Sequence, residues 1–407
     1  MTSLEHGPLA GFRVLEMGST VAGPFCGRLL ADFGAEVIKV ENPEGDPVRS
    51  MGSRAQGKSL YAASIFRNKL LVSINLRTLE GQSLIKRMMP QCDVLVENFR
   101  PGTMEKWGLG YSQLSDINPR LVMVRISGYG QSGPHSQRPG YGITAEAFSG
   151  LRHITGDPDR PPARVAVSLT DYITGLYGAF GALMALLARE RTGRGQCIDA
   201  ALYECAFSFM EPHIPAFEKL GVVAMRSGSR LPGNAPNNLY ATGDGQFIHI
   251  TAGNDGVFRR LAQVMRRPEL LENSQFRTAT ARAEHTEDLD DIISGWVCQH
   301  DIEELDRELN AADIPASRIY TIADIFRDPH YQARQMLEKV PDDDLESVTL
   351  AAVVPKLSET PGRIQHSGRR IGQDTLRVIA ELVGLTEIEI LRLAEQKVVC
   401  LGPTGGS

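Results

Sequence analysis

One carboxylate stands apart in this 407-residue chain. In the run SLTDYITGLYGAFGALMALLARERTGRGQ (168–196), Asp171 opens an almost charge-free, small-residue segment that ends at Arg189. Thr170 or Asp171 can cap the first turn of a helix there, because a short oxygen side chain accepts a bond from an orphan backbone N–H. Gly175, Gly178 and Gly181 recur every third residue and are followed by Ala182, Ala185 and Ala188. One helix face therefore carries almost no bulk, and another backbone can approach it closely. A glycine inside a helix costs about 1 kcal/mol relative to alanine, so close packing has to offset three of them. Thr192-Gly193 stops the helix, with Arg189, Arg191 and Arg194 at the negative end of its dipole. A carboxylate at the positive end stays ionised and fixed, which makes Asp171 a candidate nucleophile. On this segment alone the purely structural reading, in which it is an N-cap and nothing more, is the commoner one.

Other chemistries are excluded by pattern. The chain lacks GxSxG, a Walker A motif, HExxH and CxxC, so serine-hydrolase, nucleotide-phosphate and zinc chemistry have no foothold and no metal is expected. A literal GxGxxG occurs at Gly128, Gly130 and Gly133 after an apolar run. Pro134 follows at once, so no helix can open on those glycines and a dinucleotide site is not expected. The net charge of −6 offers no basic face for nucleic acid. Six scattered cysteines form no disulfide framework, which fits a reducing cytoplasm. The N-terminus carries no basic-then-apolar leader. The apolar run 172–188 falls short of the ~20 residues that span a bilayer, so no membrane role is expected.

These residues need a scaffold. Between 11 and 130 short apolar runs alternate with helical patterns: 13–17, then a helix over 25–33 closed by Gly34, then 36–41. A run at 70–76, a helix over 78–89, and runs at 92–99 and 121–127 follow. This is the signature of βαβ units, hence an α/β, doubly wound, mostly parallel, Rossmann-like sheet. Ligands of such sheets collect beyond the carboxyl ends of the strands, here the loops 18–24, 42–49, 97–102 and 128–141. The chain is too long for one core, and a Gly/Ser/Asn/Pro-rich stretch at 221–238 opens a smaller α+β domain that begins with a hairpin at 239–253. A strand in IPASRIYT and a closing helix pair after about 355 complete the expectation.

The motifs GFRVLEMG, VAGPFCGRLLADFGAEVIKVENPEGD, VENFRPG, LTDYITGLYG and RTGRGQCIDAAL resemble, in order and spacing, the family III CoA-transferases, from about Leu9 to Val399. That resemblance implies a large domain of 1–225 plus 330–407, a small domain of 226–329, and an interlocked homodimer. It implies Asp171 as the nucleophile. The carboxylate attacks the thioester of an acyl-CoA to give an acyl–aspartyl anhydride and CoA thiolate, and the thiolate then forms an aspartyl-CoA thioester. An acceptor carboxylate attacks that thioester, and CoA finally passes to the acceptor. Tyr141 matches an active-site tyrosine, while Gly142 stands where transferases usually carry an acidic residue. Gly228 and Gly233, in a glycine-bearing flap, are the implied oxyanion donors. Val21, Ala22, Asn42, Lys69, Asn98, Phe99, Arg100, Lys106 and Arg138 are the expected CoA contacts. Val21 and Ala22 lie along the pantetheine, and Asn98 and Phe99 lie on the adenine side. Lys69 and Lys106 face phosphates, and Asn42 replaces an arginine of some relatives.

The expected partners are an acyl-CoA and a small carboxylic acid, with CoA as substrate and no tightly bound cofactor. GLRHITG (150–156) resembles the glutarate and other dicarboxylate members, and Arg152, Arg164 and Arg230 could read a second carboxylate. An α-methylacyl-CoA racemase is the alternative, but its histidine would fall at Tyr141, and a tyrosine is a poor base at neutral pH. A non-catalytic CoA-binding protein and a nicotinamide oxidoreductase are further readings. The first predicts that Asp171→Ala changes nothing.

Overall fold

RVLE, EVIKVE, KLLVSI, VLVE and VMVRIS are aliphatic runs buried on both faces, as a parallel sheet covered by helices requires. In the computed structural model, which describes residues 7–402, they form β1 (Arg13–Glu16), β2 (Glu36–Glu41), β3 (Lys69–Ile74), β4 (Val94–Glu97) and β5 (Val122–Ser127). With β6 (Cys197–Ala201) and a late strand β12 (Val399–Cys400) they make one seven-stranded sheet of order β12-β3-β2-β1-β4-β5-β6. All pairings are parallel except β12 against β3, where Val399 sits opposite Ile74. The order reverses between β1 and β4. Crevices at such a reversal, outside the carboxyl ends of the strands, are where ligands bind in open α/β sheets.

Two helices matter most for the site. Helix α1 (Ala22–Asp32) begins directly after the turn that leaves β1. Helix α6 (Leu169–Thr192) lies against it, and Gly193 ends α6 in a left-handed cap with φ of 70°. The glycine face explains the packing. A Cβ on Gly175 would lie 2.7 Å from the Ala22 carbonyl oxygen and 2.9 Å from the Phe25 ring. On Gly178 it would meet Cys26 Sγ at 3.3 Å, and on Gly181 the Ile198 side chain at 3.1 Å. Bare backbone thus replaces side chains where α6 crosses α1 and the sheet. The length and hydropathy of α6 would suffice to cross a membrane, but this glycine face is spent on the core.

The chain divides into two compact units. The first comprises residues up to Leu151, Val165–Pro215 and everything from Gln332 onward, and the second comprises Arg152–Arg164 and Ala216–Tyr331. Sequence reading expects a single run, 226–329, for the smaller one. The segment 152–164 joins it because its backbone is tied to the flap: Gly228 donates to the Gly156 carbonyl at 3.0 Å, and Arg226 donates to the His153 and Asp157 carbonyls. Within the second unit, β7 (Asn237–Ala241), β8 (Phe247–Thr251) and β9 (Ala316–Arg318) form an antiparallel sheet. Ile248, Ile250, Phe258, Leu289, Ile293 and Leu305 fill its core. The closing helix pair expected after about 355 is present at Thr375–Val383 and Glu387–Glu395, whereas the hairpin of β10 (Leu337–Asp342) and β11 (Glu346–Ala351) before it and β12 after it were not expected. These strands are short and mixed in polarity, and pairing partners rather than local pattern define them.

Candidate active site

The turn after β1 is built by buried charge. Lys39, Lys69, Glu16 and Asp46 each expose 1% or less of their side chains. Lys69 Nζ reaches Glu16 Oε2 at 2.5 Å and the Pro24 carbonyl at 2.6 Å. Lys39 pairs with Asp46 at 3.0 Å and Glu16 at 3.3 Å, and donates to the Gly18 carbonyl. Asp46 accepts from the backbone N–H of Thr20 and of Val48, both at 3.0 Å. Thr20 is thereby held at φ 67°, a left-handed conformation unusual for a β-branched residue. Burial alone would raise Asp46, but Lys39 and the two N–H donors outweigh it and hold the carboxyl below its usual range. Burial likewise works against the Lys39 ammonium, which Asp46, Glu16 and Glu41 together keep protonated.

Across the reversal, Asn98 closes the turn from the β4 side. Its Oδ1 accepts from Ser19 N–H at 2.7 Å and its Nδ2 donates to Ser19 O at 2.9 Å. Glu97 accepts from Phe99 N–H at 2.7 Å and binds Arg125 at 2.8 Å. Arg125 also reaches Glu105 on α4 (Thr103–Lys106) at 2.7 Å. Sequence reasoning missed Glu16, Lys39, Asp46, Glu97 and Arg125. For Glu16, Lys39, Glu97 and Arg125 the available signal was an ionisable residue within an otherwise apolar strand, which is affordable only when paired; Asp46, in the loop after β2, carried none.

Asp171 sits in the first turn of α6, three residues inside the N-cap Ser168, so it is not the cap. Its carboxylate lies over Gly142, the first residue of α5 (Gly142–Phe148). A Cβ on Gly142 would stand 2.1 Å from Oδ2 and 2.9 Å from Cγ of Asp171. Burial raises the carboxyl from 3.8 to about 6, offset by its own backbone N–H, and no cation among the described residues holds it down. The next residue, Tyr172, stacks edge-on against Phe25 at 4.8 Å and bonds the Tyr61 hydroxyl at 2.9 Å. Asp171 lies four residues before Gly175, the residue of α6 that abuts the Ala22 carbonyl at the start of α1.

The remaining expected residues fall into groups. Val21 and Ala22 are buried at the start of α1, and Asn98 and Phe99 lie beside them across the reversal, with Phe99 edge-on to Trp107 at 5.1 Å. Asn42, Lys106 and Arg138 are exposed, and Arg100 donates to the Gln137 carbonyl at 3.0 Å, linking two of the loops. Lys69 is a correction. It is fully buried in its pair with Glu16 and cannot face a phosphate. Tyr141 is 72% exposed and precedes α5, its N–H taken by Thr144 Oγ1 at 3.0 Å. Gly228 and Gly233 belong to the second unit. The Gly228 N–H is donated to Gly156, so it is not a free oxyanion donor, whereas Gly233 is exposed with φ of 79°. Arg230 is spent on Asp290 at 2.7 Å, which also binds Asn238 and Tyr240, so it serves the second unit's structure. The GxGxxG glycines serve the loop: Gly128 crosses Gly140 with 2.8 Å between its would-be Cβ and the Gly140 Cα. Among the described residues, no three His, Cys, Asp or Glu side chains are grouped to hold a metal ion.

Comparison with known proteins agrees with this architecture. A succinyl-CoA–D-citramalate CoA-transferase of Chloroflexus aurantiacus is 45% identical over 394 residues, covering 96% of this chain and 98% of that protein. The human succinyl-CoA:glutarate CoA-transferase is 33% identical, covering 96% and 90%. The crystal structure of a CAIB/BAIF family protein from Brucella suis superposes with a TM-score of 0.83 at 33% identity, covering 93% of this chain and all of the other. The model of CoA-transferase family III matches residues 9–375. Relatedness of this extent, over both units and with the carboxylate-bearing helix inside the matched span, makes the chain a member of CoA-transferase family III.

Proposed function

We propose that this CoA-transferase moves CoA from succinyl-CoA to a second dicarboxylic acid, with Asp171 as the covalent relay. The observation that carries the reading is the Asp171 carboxylate itself: half-buried, desolvated enough to be raised to about 6, without an ion-pair partner, and one turn before the point where its helix meets the start of α1 beside the crevice at which the sheet order reverses. An unpaired carboxylate is the nucleophile this exchange needs, and exclusion of water protects the anhydride it forms. In the first half-reaction an Asp171 oxygen bonds to the thioester carbonyl carbon and CoA leaves as thiolate. The thiolate attacks the aspartyl carbonyl, succinate leaves, and CoA remains on Asp171. The acceptor carboxylate then displaces CoA, and the thiolate recaptures the acceptor acyl carbon and regenerates Asp171.

Citramalate, malate and glutarate in the names of relatives support a four- or five-carbon dicarboxylate acceptor. Val21, Ala22, Asn98, Phe99, Arg100, Lys106 and Arg138 are the CoA contacts we propose, with Asn42 at the rim. Tyr141 is proposed to meet the reacting groups. The enzyme acts as a homodimer whose chains interlock, and the support is a stripe on α6 opposite the glycines: Leu176, Phe180, Leu183 and Leu187 are 56%, 54%, 36% and 63% exposed in the single chain. A cytoplasmic setting suits its six unpaired cysteines.

The test is acceptor screening with succinyl-CoA, followed by hydroxylamine trapping and peptide mapping. The expected result is acyl-CoA formation with four- or five-carbon dicarboxylates and a hydroxamate on Asp171. Transfer only to monocarboxylates would overturn the substrate, and a hydroxamate elsewhere would overturn the nucleophile.

A further inference from the structure

Gly142 and Asp171 share a space that cannot hold one more carbon. The would-be Cβ of Gly142 lies 2.1 Å from Oδ2, 2.9 Å from Cγ and 3.4 Å from Oδ1 of Asp171, whereas ordinary contact between heavy atoms begins near 3.5 Å. Neither backbone can easily retreat, so the added carbon has to displace the carboxylate itself. The backbone before Gly142 is pinned by Thr144, whose Oγ1 accepts from Tyr141 N–H at 3.0 Å and donates to Tyr141 O at 2.8 Å. Ala145 and Glu146 of the same helix are buried. On the other side, α6 is locked against α1 by Gly175, with no room between Cβ and the Ala22 carbonyl. Two rigid helices therefore leave one cleft, floored by backbone, and the carboxylate lies in it.

We propose that Gly142 is the positioning residue of the nucleophile: its missing side chain forms a seat that fixes the Asp171 carboxylate by shape, in place of a cation or a hydrogen-bonding side chain. An ion pair would orient the carboxylate too, but would quench it as a nucleophile. A steric seat orients it without a cation and leaves it only the bond from its own backbone N–H. The backbone conformation of Gly142 is not left-handed, so alanine is allowed there by the main chain and its effect reports the contact with Asp171. The catalytic half of this inference rests on Asp171 being the nucleophile, and the steric half does not.

A double-mutant cycle separates the two. Gly142→Ala, Asp171→Ala and the double variant are compared by thermal melting, and Gly142→Ala also by steady-state transfer from succinyl-CoA to glutarate. Gly142→Ala is expected to lower Tm by about 3 °C or more, and Asp171→Ala to leave it equal or higher. The double variant is expected to melt within about 1 °C of Asp171→Ala. Turnover by Gly142→Ala is expected to fall about 100-fold, with the KM for succinyl-CoA changed less than threefold, because misplacement of a reacting group by about 1 Å costs that much. If Gly142→Ala alone does not fold, recovery of folding in the double variant supports the seat. A double variant that keeps the full thermal penalty overturns it, because the alanine then clashes with something other than Asp171. Thermal coupling with unchanged turnover overturns the positioning role. Coupling intact in a wild-type enzyme inert toward every acid leaves the seat standing and removes the proposed reaction instead.

Discussion

At the scale of single residues the decisive quantity is the protonation of Asp171. Burial lifts its carboxyl to about 6, well above an ordinary aspartate. Because kcat/KM follows the free enzyme, its acid limb should have a midpoint near pH 6, and Asp171→Asn should lose at least about 10³-fold in kcat/KM at pH 7.5. A limb near pH 4 would mean that the attacking group is solvated. The same shift fixes a stability prediction. A carboxyl whose folded pKa is raised binds its proton more tightly when folded, so between about pH 4 and 6 the folded state carries more proton than the unfolded one. Stability contributed by this group is therefore lost as pH rises through that window. Asp171→Asn should melt higher than wild type at pH 8, and the gap should close as the pH falls to 4. Asp171 itself was legible in the sequence, since a lone carboxylate at the head of an apolar glycine-rich helix is a local pattern. Its seat was not: the family resemblance marks Gly142 as a departure 29 residues away, but what the absent side chain makes room for shows only when the two backbones are seen together.

At the scale of elements, the glycine face of α6 reverses the usual sign of a substitution. Glycine to alanine inside a helix ordinarily stabilises by about 1 kcal/mol. At Gly175 the added carbon would meet the Ala22 carbonyl at 2.7 Å, and overpacking of this kind costs about 1–3 kcal/mol, so Gly175→Ala should destabilise. Gly181→Ala, whose nearest neighbour is a side-chain methyl of Ile198 at 3.1 Å, should be close to neutral, because that methyl can shift. Chemical denaturation of the two variants checks the contrast, and equal behaviour would mean that the helices do not cross at Gly175. The turn after β1 makes a second case. Asp46→Ala frees the Thr20 N–H and removes one of the two acids paired with the buried Lys39, leaving it Glu16, so the strained turn should relax and the KM for acyl-CoA should rise about tenfold, more than kcat falls. Five of the six parallel strands and both key helices could be read from aliphatic runs and small-residue spacing, whereas β6 could not. Lys69 was misread as a phosphate contact because sequence shows that a strand carries a lysine, not that Glu16 lies across two strands to receive it. The edge strand β12 was hidden for a related reason: two residues gain a strand's identity only from pairing with Ser73 and Ile74.

At the scale of the whole molecule, α6 has two faces with opposite duties. The glycine side disappears into the first unit, while Leu176, Phe180, Leu183 and Leu187 recur on the other at spacings of four, three and four, exposed in the single chain. Such a stripe would be expensive to leave in water, at roughly 25 cal/mol for each Å² of apolar surface. Nearby in the same unit, Phe207 and Phe209 are also exposed, at 44% and 57%, and Phe209 stacks edge-on against Tyr177. A second copy of the chain is the occupant proposed for this surface. Phe180→Asp together with Leu187→Asp should then shift the sedimentation mass from that of two chains to one. Both side chains point away from the glycine face, so the folded state of the first unit should survive and its circular dichroism should be unchanged. Loss of transfer activity in that folded monomer would tie the assembly to the reaction, because the helix that bears the stripe also bears Asp171 at its head. A double variant that still sediments as two chains would show instead that the stripe is not where the copies meet.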